Sequence, residues 1–321
     1  MSDETPTFPI SPVPKMEEGK FVKTAGCLII GDEVLNGKTR DSNSNYFAKL
    51  CFDLAIDLKR IEIIPDDEAE IIEAVRRMHE KYDLVVTSGG LGPTHDDITY
   101  ESIAKAFDTT LEYDDETIKR MDAFGRKRYN FDQQTEEQKK ARLRMALFPK
   151  EAEVLFVQED LCVFFPDFTE LQASDLVEPY SWVPVVRVAG KVCILPGVPK
   201  LFERLITGLA AHYIPLPPSS EKPYRILVHT EGKGGRDGVT HPASLRIPES
   251  SIAPFLTELH ERVRKEGIRV GSYPKLLRGV DVSLIGKNED RLHELAQEVI
   301  KELKGELVAQ GKLGQEEQVK K

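Results

Sequence analysis

The chain has 321 residues, 40% of them hydrophobic, with a formal net charge of −10 at pH 7 and a pI near 5.4. That is apolar material for one large core or two ordinary ones, and the acidic balance speaks against a nucleic-acid binder, whose footprint is basic. No stretch approaches a membrane span, and Cys27, Cys51, Cys162 and Cys193, far apart and without CxxC spacing, read as the reduced thiols of a cytoplasmic protein.

Met1–Lys20 is proline-rich and polar, with no signal-peptide core, and is expected to be a disordered tail. Phe21–Ile30 is the first predicted strand and runs into Gly31–Asp32–Glu33. Ser42–Leu54 has helical spacing, with Phe47, Leu50, Cys51 and Leu54 as its apolar stripe. Ile56–Ile64 is the second strand, and Asp66–Asp67 begins a helix with Ile71, Ile72, Val75 and Met78 on one face. Leu84–Ser88 is a short β-branched run, the third strand, and Ile98–Phe107 is helical. Strands alternating with helices predict a parallel sheet covered on both faces.

Asp114–Arg128 and Thr135–Leu147 read as further helices, Val154–Val157 as a strand and Asp160–Tyr180 as irregular. Trp182–Val188 and Lys191–Leu195 form a hairpin about Ala189–Gly190. The second of these runs through Pro196–Gly197–Val198–Pro199 into the helix Lys200–Tyr213. Pro215–Pro223 is a linker. Beyond it, strands Tyr224–His229, Ile268–Ser272 and Val280–Ile285 with helices Ser251–Lys265 and Glu289–Lys304 make a smaller α+β module. Gly305–Lys321 is expected to fray. The predicted organisation is a tail (1–20), an α/β domain (21–214), the linker (215–223), a small α+β domain (224–308) and a final tail (309–321).

The chemistry concentrates where strands end. In a parallel sheet, ligands collect beyond the carboxyl ends of the strands. Three segments should meet there: Gly31–Asp32–Glu33, Gly89–Asp97 and Pro196–Pro199. After Ser88, the run Gly89–Gly90–Leu91–Gly92–Pro93 leaves backbone N–H groups open to phosphate oxygens, with Thr94 beside it. This is neither GxGxxG nor a P-loop. Asp32 and Asp96 are the expected ligands of a hard divalent cation, Mg²⁺ or else Co²⁺ or Mn²⁺. Asp97 reads either as a helix N-cap or as part of the pocket. Glu33 reads either as the base, or orienter of a water, or as a partner of its own backbone. His95 has a pKa suited to proton transfer, or else fixes the turn. Lys38 and Arg40 could offset phosphate charge. Asp41 and Asn43 could cap the helix beginning at Ser42, or Asn43 could face the ligand. A GxxG run at 232–235 is a weak match to an RNA-binding loop.

GDEVLNGKTRDSN at Gly31–Asn43, TSGGLGPTHDDIT at Thr87–Thr99 and LPGVPK at Leu195–Lys200 together resemble the molybdopterin-binding (MoCF-type) domain. The branch is the one shared by CinA and the front part of eukaryotic FAD synthases. The second module, with GSYP at Gly271–Pro274, resembles that branch's small second domain. The resemblance implies a three-layer α/β fold with a mainly parallel sheet, assembled as a homodimer or homotrimer. It places Asp32, Asp96 and Asp97 on the family's acidic positions, Gly89, Gly90 and Gly92 on its phosphate loop, and Pro196, Gly197 and Pro199 on its PGVP turn. Two segments depart from the pattern, Gln158–Leu171 and Lys200–Leu201–Phe202. The expectation drawn from all this is a divalent-metal-dependent pyrophosphatase acting on ADP-ribose or FAD. The alternatives are a molybdopterin-binding or adenylylating protein, and a non-catalytic ligand-binding module. The ligand is a small nucleotide or pterin phosphate, with neither nucleic acid nor membrane as partner.

Overall fold

The structure, a computed structural model, describes residues 8–15, 19–128, 131–157, 182–230, 249–275 and 279–319. The expectations for Cys162, for the altered segment 158–171 and for the GxxG run at 232–235 lie outside the described residues. The chain divides into two compact units, one holding 1–51 and 56–216, the other 52–55 and 217–321.

In the first unit the predicted alternation is realised. Its elements are β1 (Thr24–Ile30), α1 (Asp32–Leu35), α2 (Asn43–Asp53), β2 (Asp57–Ile64), α3 (Glu68–Lys81), β3 (Leu84–Ser88) and α4 (Thr99–Ala106). They continue through β4 (Leu111–Tyr113), α5 (Asp115–Arg128), α6 (Glu136–Leu143), β5 (Leu147–Pro149), β6 (Glu153–Leu155), β7 (Val185–Val188), β8 (Val192–Leu195) and α7 (Pro199–His212). The main sheet has the order β2-β1-β3-β8-β7-β6. β2, β1, β3 and β8 are parallel, whereas β7 and β6 are antiparallel additions. The β7–β8 hairpin turns at Ala189 and Gly190, whose φ values of 49° and 68° are the left-handed pair such a turn needs.

Alternation along the strands sends Leu28, Ile30, Val85, Val192 and Ile194 into one core with Ile71, Val75 and Met78 of α3 and Tyr100 and Ile103 of α4. Cys27, Ile29, Val86, Cys193 and Leu195 point the other way. On that side Phe47 and Leu50 of α2 and Phe202 and Ile206 of α7 are buried, and Tyr46 of α2 meets Thr207 of α7 at 2.7 Å. Burial pushes the Cys51 and Cys193 thiols up to about 12 and raises Cys27 too, so they behave as core hydrophobes.

The N-terminal stretch expected to be free is docked over 8–15. Ser11 exchanges hydrogen bonds with Phe156, just past the edge strand β6, and Tyr213 donates to the Ser11 carbonyl at 2.6 Å. The Arg120 guanidinium lies over the Phe8 and Phe156 rings. Composition hid this, because a few aromatic and backbone contacts suffice to order a proline-rich strap.

The second unit contains β9 (Tyr224–Thr230), α8 (Glu249–Val263), β10 (Arg269–Lys275), β11 (Gly279–Gly286), α9 (Glu289–Leu303), β12 (Glu306–Lys312) and β13 (Glu317–Gln318). They build an antiparallel sheet ordered β10-β11-β9-β12-β13. Ile226, Val228, Val280, Val282 and Leu284 pack there against α8 and α9. The stretch expected to fray supplies β12 instead, paired with β9. Its polar composition misleads because both flanks of β9 need hydrogen-bond partners.

Candidate functional site

Because β1, β3 and β8 are parallel neighbours, their carboxyl ends lie side by side, and the loops leaving them form one rim. A small open cleft lies there, lined by Glu33, Arg40, Asn43, Ser88, Gly197 and Pro199 among others. Asn43 ties the three loops together. Its Nδ2 donates to Ser88 Oγ at 2.9 Å and to the Gly197 carbonyl at 2.9 Å, while Ser88 Oγ donates to the Pro196 carbonyl at 3.2 Å. The carbonyl partner fixes which end of the amide faces the turn. Asn43 Oδ1 is buried with no partner among the described residues. Capping falls to Asp41 instead, whose carboxylate takes the Ser44 N–H at 3.0 Å.

The glycine loop is held from both sides. Gly89 and Gly90 have φ of 111° and 65°, angles that favour glycine. A Cβ on Gly89 would fall on the Ile30 carbonyl, and one on Gly90 on the Thr99 hydroxyl. The buried Thr99 latches the loop, donating Oγ1 to the Gly89 carbonyl at 2.9 Å and N–H to the Gly90 carbonyl at 3.2 Å. Asp97 does not cap α4, whose N-cap is Ile98 without a side-chain bond. Its carboxylate accepts the Thr94 N–H at 2.9 Å and the Thr94 hydroxyl, closing the THDD turn. Arg144 clamps that turn through the Thr94 carbonyl at 2.7 Å, the Asp97 carbonyl at 3.0 Å and Glu101 at 3.3 Å. A second, smaller hollow lies there, lined by Gly92, Asp97 and Arg144. Sequence reading missed both Thr99 and Arg144. Thr99 stood in the motif, but nothing in the sequence brings residue 144 to residue 94.

The acidic groups gather around a third residue that was missed, Asp66. Asp67 is the N-cap of α3, accepting from Ala69 and Glu70, which leaves Asp66 free to turn inward. It accepts the Asp32 N–H at 3.0 Å. Burial raises its pKa, and the charges of Glu33, Asp32 and Asp96 raise it further against the opposing Asp32 bond. A carboxyl raised in the folded state binds more protons folded than unfolded. Stability therefore falls as pH climbs from the ordinary carboxylate range through the folded value. Asp66→Asn keeps an acceptor for Asp32 and removes the charge. It is expected to flatten that fall and to melt slightly higher than wild type at neutral pH, with the gain kept small by partial exposure. Thermal melts across the acid-to-neutral range check this.

The remaining expected residues are dispersed. Gly31 sits under the folded-back Glu33 carboxylate. Lys38 is exposed in a turn where its N–H binds Asn36 at 3.1 Å. The His95 side chain is 98% exposed and Asp96 62%, 4.0 Å apart; the Thr94 hydroxyl holds the Asp96 carboxyl below its usual range. Neither Asp32 nor Asp96 lines the cleft. Pro199 starts α7 at a position where a missing N–H costs nothing, and α7 has no side-chain cap and no acidic residue in its first turn.

Among the described residues, no group of three or more His, Cys, Asp or Glu could hold a metal ion. Asp97 is committed to Thr94 and Asp66 to the Asp32 backbone. Asp32 and Asp96, the expected ligands of a cation, belong to no such group.

Residues 26–215 match the family described as "Probable molybdopterin binding domain", and residues 239–312 match "FAD synthase, middle domain". A "Probable FAD synthase" of Caenorhabditis elegans is 32% identical over 256 residues, 79% of this chain but 44% of that protein. The chain therefore spans less than half of the curated synthase it matches. A protein of Caldivirga maquilingensis is 29% identical over 286 residues, 86% of this chain and 93% of that one. The crystal structure of "the protein CinA with unknown function" from Thermoplasma acidophilum is 29% identical, covering 59% of this chain and 97% of its own at a TM-score of 0.45. These findings overturn the expected pyrophosphatase of ADP-ribose or FAD. The matched family is described by molybdopterin binding, and no group of three or more His, Cys, Asp or Glu among the described residues could hold a catalytic cation. No helix among the described residues is long and apolar enough to cross a membrane.

Proposed function

The chain belongs to the molybdopterin-binding domain family, and from that premise we propose that the rim above β1, β3 and β8 binds a pterin phosphate of the molybdopterin class. The observation that carries the reading is the Asn43 bridge, which fixes Ser88 and Gly197 around one cleft. The phosphate belongs in that cleft. Arg40 supplies charge, and the uncapped start of α7 supplies N–H groups and the positive end of a helix dipole. The pterin belongs toward Asp66, Asp32 and Glu33. Its amino and ring N–H groups form a double donor edge, and a carboxylate is its natural acceptor. The raised pKa of Asp66 marks a carboxylate in need of such a donor.

The test is fluorescence titration of the purified chain with a pterin phosphate, with unphosphorylated pterin and ADP-ribose alongside. The expected result is saturable binding of the pterin phosphate, weaker binding of the pterin, and none of ADP-ribose. Equal binding of ADP-ribose, or no response to the pterin phosphate, would overturn the reading.

A further inference from the structure

Two hydroxyl residues of the chain stand directly before a proline, Thr5 and Ser11, and of the pair Ser11 also has a proline two positions ahead of it, Pro9. Ser11 lies at the centre of the docked strap, in the run Pro9-Ile10-Ser11-Pro12-Val13-Pro14. Over 8–15 the backbone belongs to no helix or strand, and a following proline biases each residue before it toward extended angles. Ile10 is 46% exposed and Val13 53%, and Pro9 and Pro12 are exposed as well, while Ser11 itself is half-buried. An irregular segment with its flanking side chains turned to solvent is what a protein kinase grips. Kinases of the proline-directed class read the proline that follows the acceptor hydroxyl.

We propose that Ser11 is a phosphorylation site for a proline-directed serine/threonine kinase, and that the phosphate releases the strap from the first unit. In the transfer, Ser11 Oγ bonds to the γ-phosphorus of ATP, the bond to the bridging oxygen breaks, ADP leaves, and the hydroxyl proton passes to the kinase's catalytic carboxylate. The hydroxyl is central to the docking. Its Oγ accepts the Phe156 N–H at 2.9 Å and donates to the Val154 carbonyl at 3.4 Å. The ester oxygen has no proton left for Val154, and the phosphate brings close to two negative charges toward that carbonyl. The two guanidinium groups at this corner are committed, Arg120 to Glu116 at 2.8 Å and to the Pro9 carbonyl at 2.6 Å, and Arg187 to Glu153. Neither is held ready for a phosphate. The other anchors are few: the Ser11 N–H on the Phe156 carbonyl, the Tyr213 hydroxyl on the Ser11 carbonyl, and the Phe8 ring 5.0 Å from the Arg120 guanidinium and 5.8 Å from the Phe124 ring. A segment so held opens locally far more readily than the sheet beneath it. The kinase takes the open form, and the phosphate then keeps it open.

Incubation of the purified full chain with ATP and a purified proline-directed kinase, read by mass spectrometry and hydrogen exchange, tests this. The expected product carries a phosphate on Ser11, retained in Thr5→Ala and lost in Ser11→Ala. In that product the Ser11 and Phe156 amides should exchange about tenfold faster or more, while those of β1 and β3 keep their rates. Tyr213→Phe removes a clamp from the strap and nothing from the motif, so Ser11 should be phosphorylated several-fold faster in it than in wild type. No phosphate on Ser11 in either wild type or Tyr213→Phe, equal rates for the two, or a phosphate that leaves exchange at Ser11 and Phe156 unchanged would overturn the inference.

Discussion

Replacing Gly89 by alanine is expected to cost about 4 kcal/mol or more, the range reserved for changes a fold cannot absorb. Gly89 has φ of 111°, and its Cβ would land on the Ile30 carbonyl. Ile30 ends β1, which is paired on both sides by β2 and β3, so that carbonyl cannot step aside. Gly89 cannot retreat either, since its N–H is held by the Leu195 carbonyl at 3.2 Å and its own carbonyl by Thr99. Gly37→Ala is the internal control. Its φ is 76° with nothing within 4 Å of the new Cβ, so only the left-handed penalty of about 1–2 kcal/mol applies. Urea unfolding followed by circular dichroism compares the two; equal midpoints for both variants would contradict the geometry.

Asn43→Leu should lose most pterin-phosphate binding while the chain stays folded. Leucine fills a similar volume but leaves the Gly197 carbonyl and the Ser88 hydroxyl without their donor, at about 1–3 kcal/mol for each buried group left unpaired. Part of that cost appears as lower stability. The rest releases the turn after β8 from the turn after β1, and about tenfold in affinity goes with every 1.4 kcal/mol lost from the bound state. The side chain is not optimised for stability, because Oδ1 is buried with no partner among the described residues. An amide retained at that expense is there for its donors. Asn43→Asp gives a sharper test, as a carboxylate accepts and cannot donate to a carbonyl. Its affinity should fall at least as far as that of the leucine variant. Fluorescence titration paired with thermal melts separates the two effects, and wild-type affinity in either variant would remove Asn43 from the site.

How far the sequence could be read differs from residue to residue. The glycine run was legible because only glycine serves at such angles, and the structure gives Gly89 and Gly90 positive φ. The paired carboxylates take different places in the turn. Asp96 and Asp97 advertise a cation by adjacency; Asp97 gives one carboxylate oxygen to the N–H and hydroxyl of Thr94, three residues earlier, while Asp96 is exposed. Asp66 was read as part of a helix start beside Asp67. One of the two caps and the other is released toward Asp32, a division that depends on where β2 ends.

The sequence by itself determined the local order of this protein: the alternation of strands and helices, the hairpin at Ala189–Gly190, the glycine loop, and through its three motifs the family. These are set by backbone preference and by hydrophobic period, which act over a few residues. Only the tertiary structure decided which groups share the site. The parallel pairing of β1, β3 and β8 brings Asn43 to Gly197 across 154 positions, and the packing of β5 on α4 brings Arg144 to Thr94 across 50. Contacts of that span are fixed by strand order and packing, and no property of either residue alone records them.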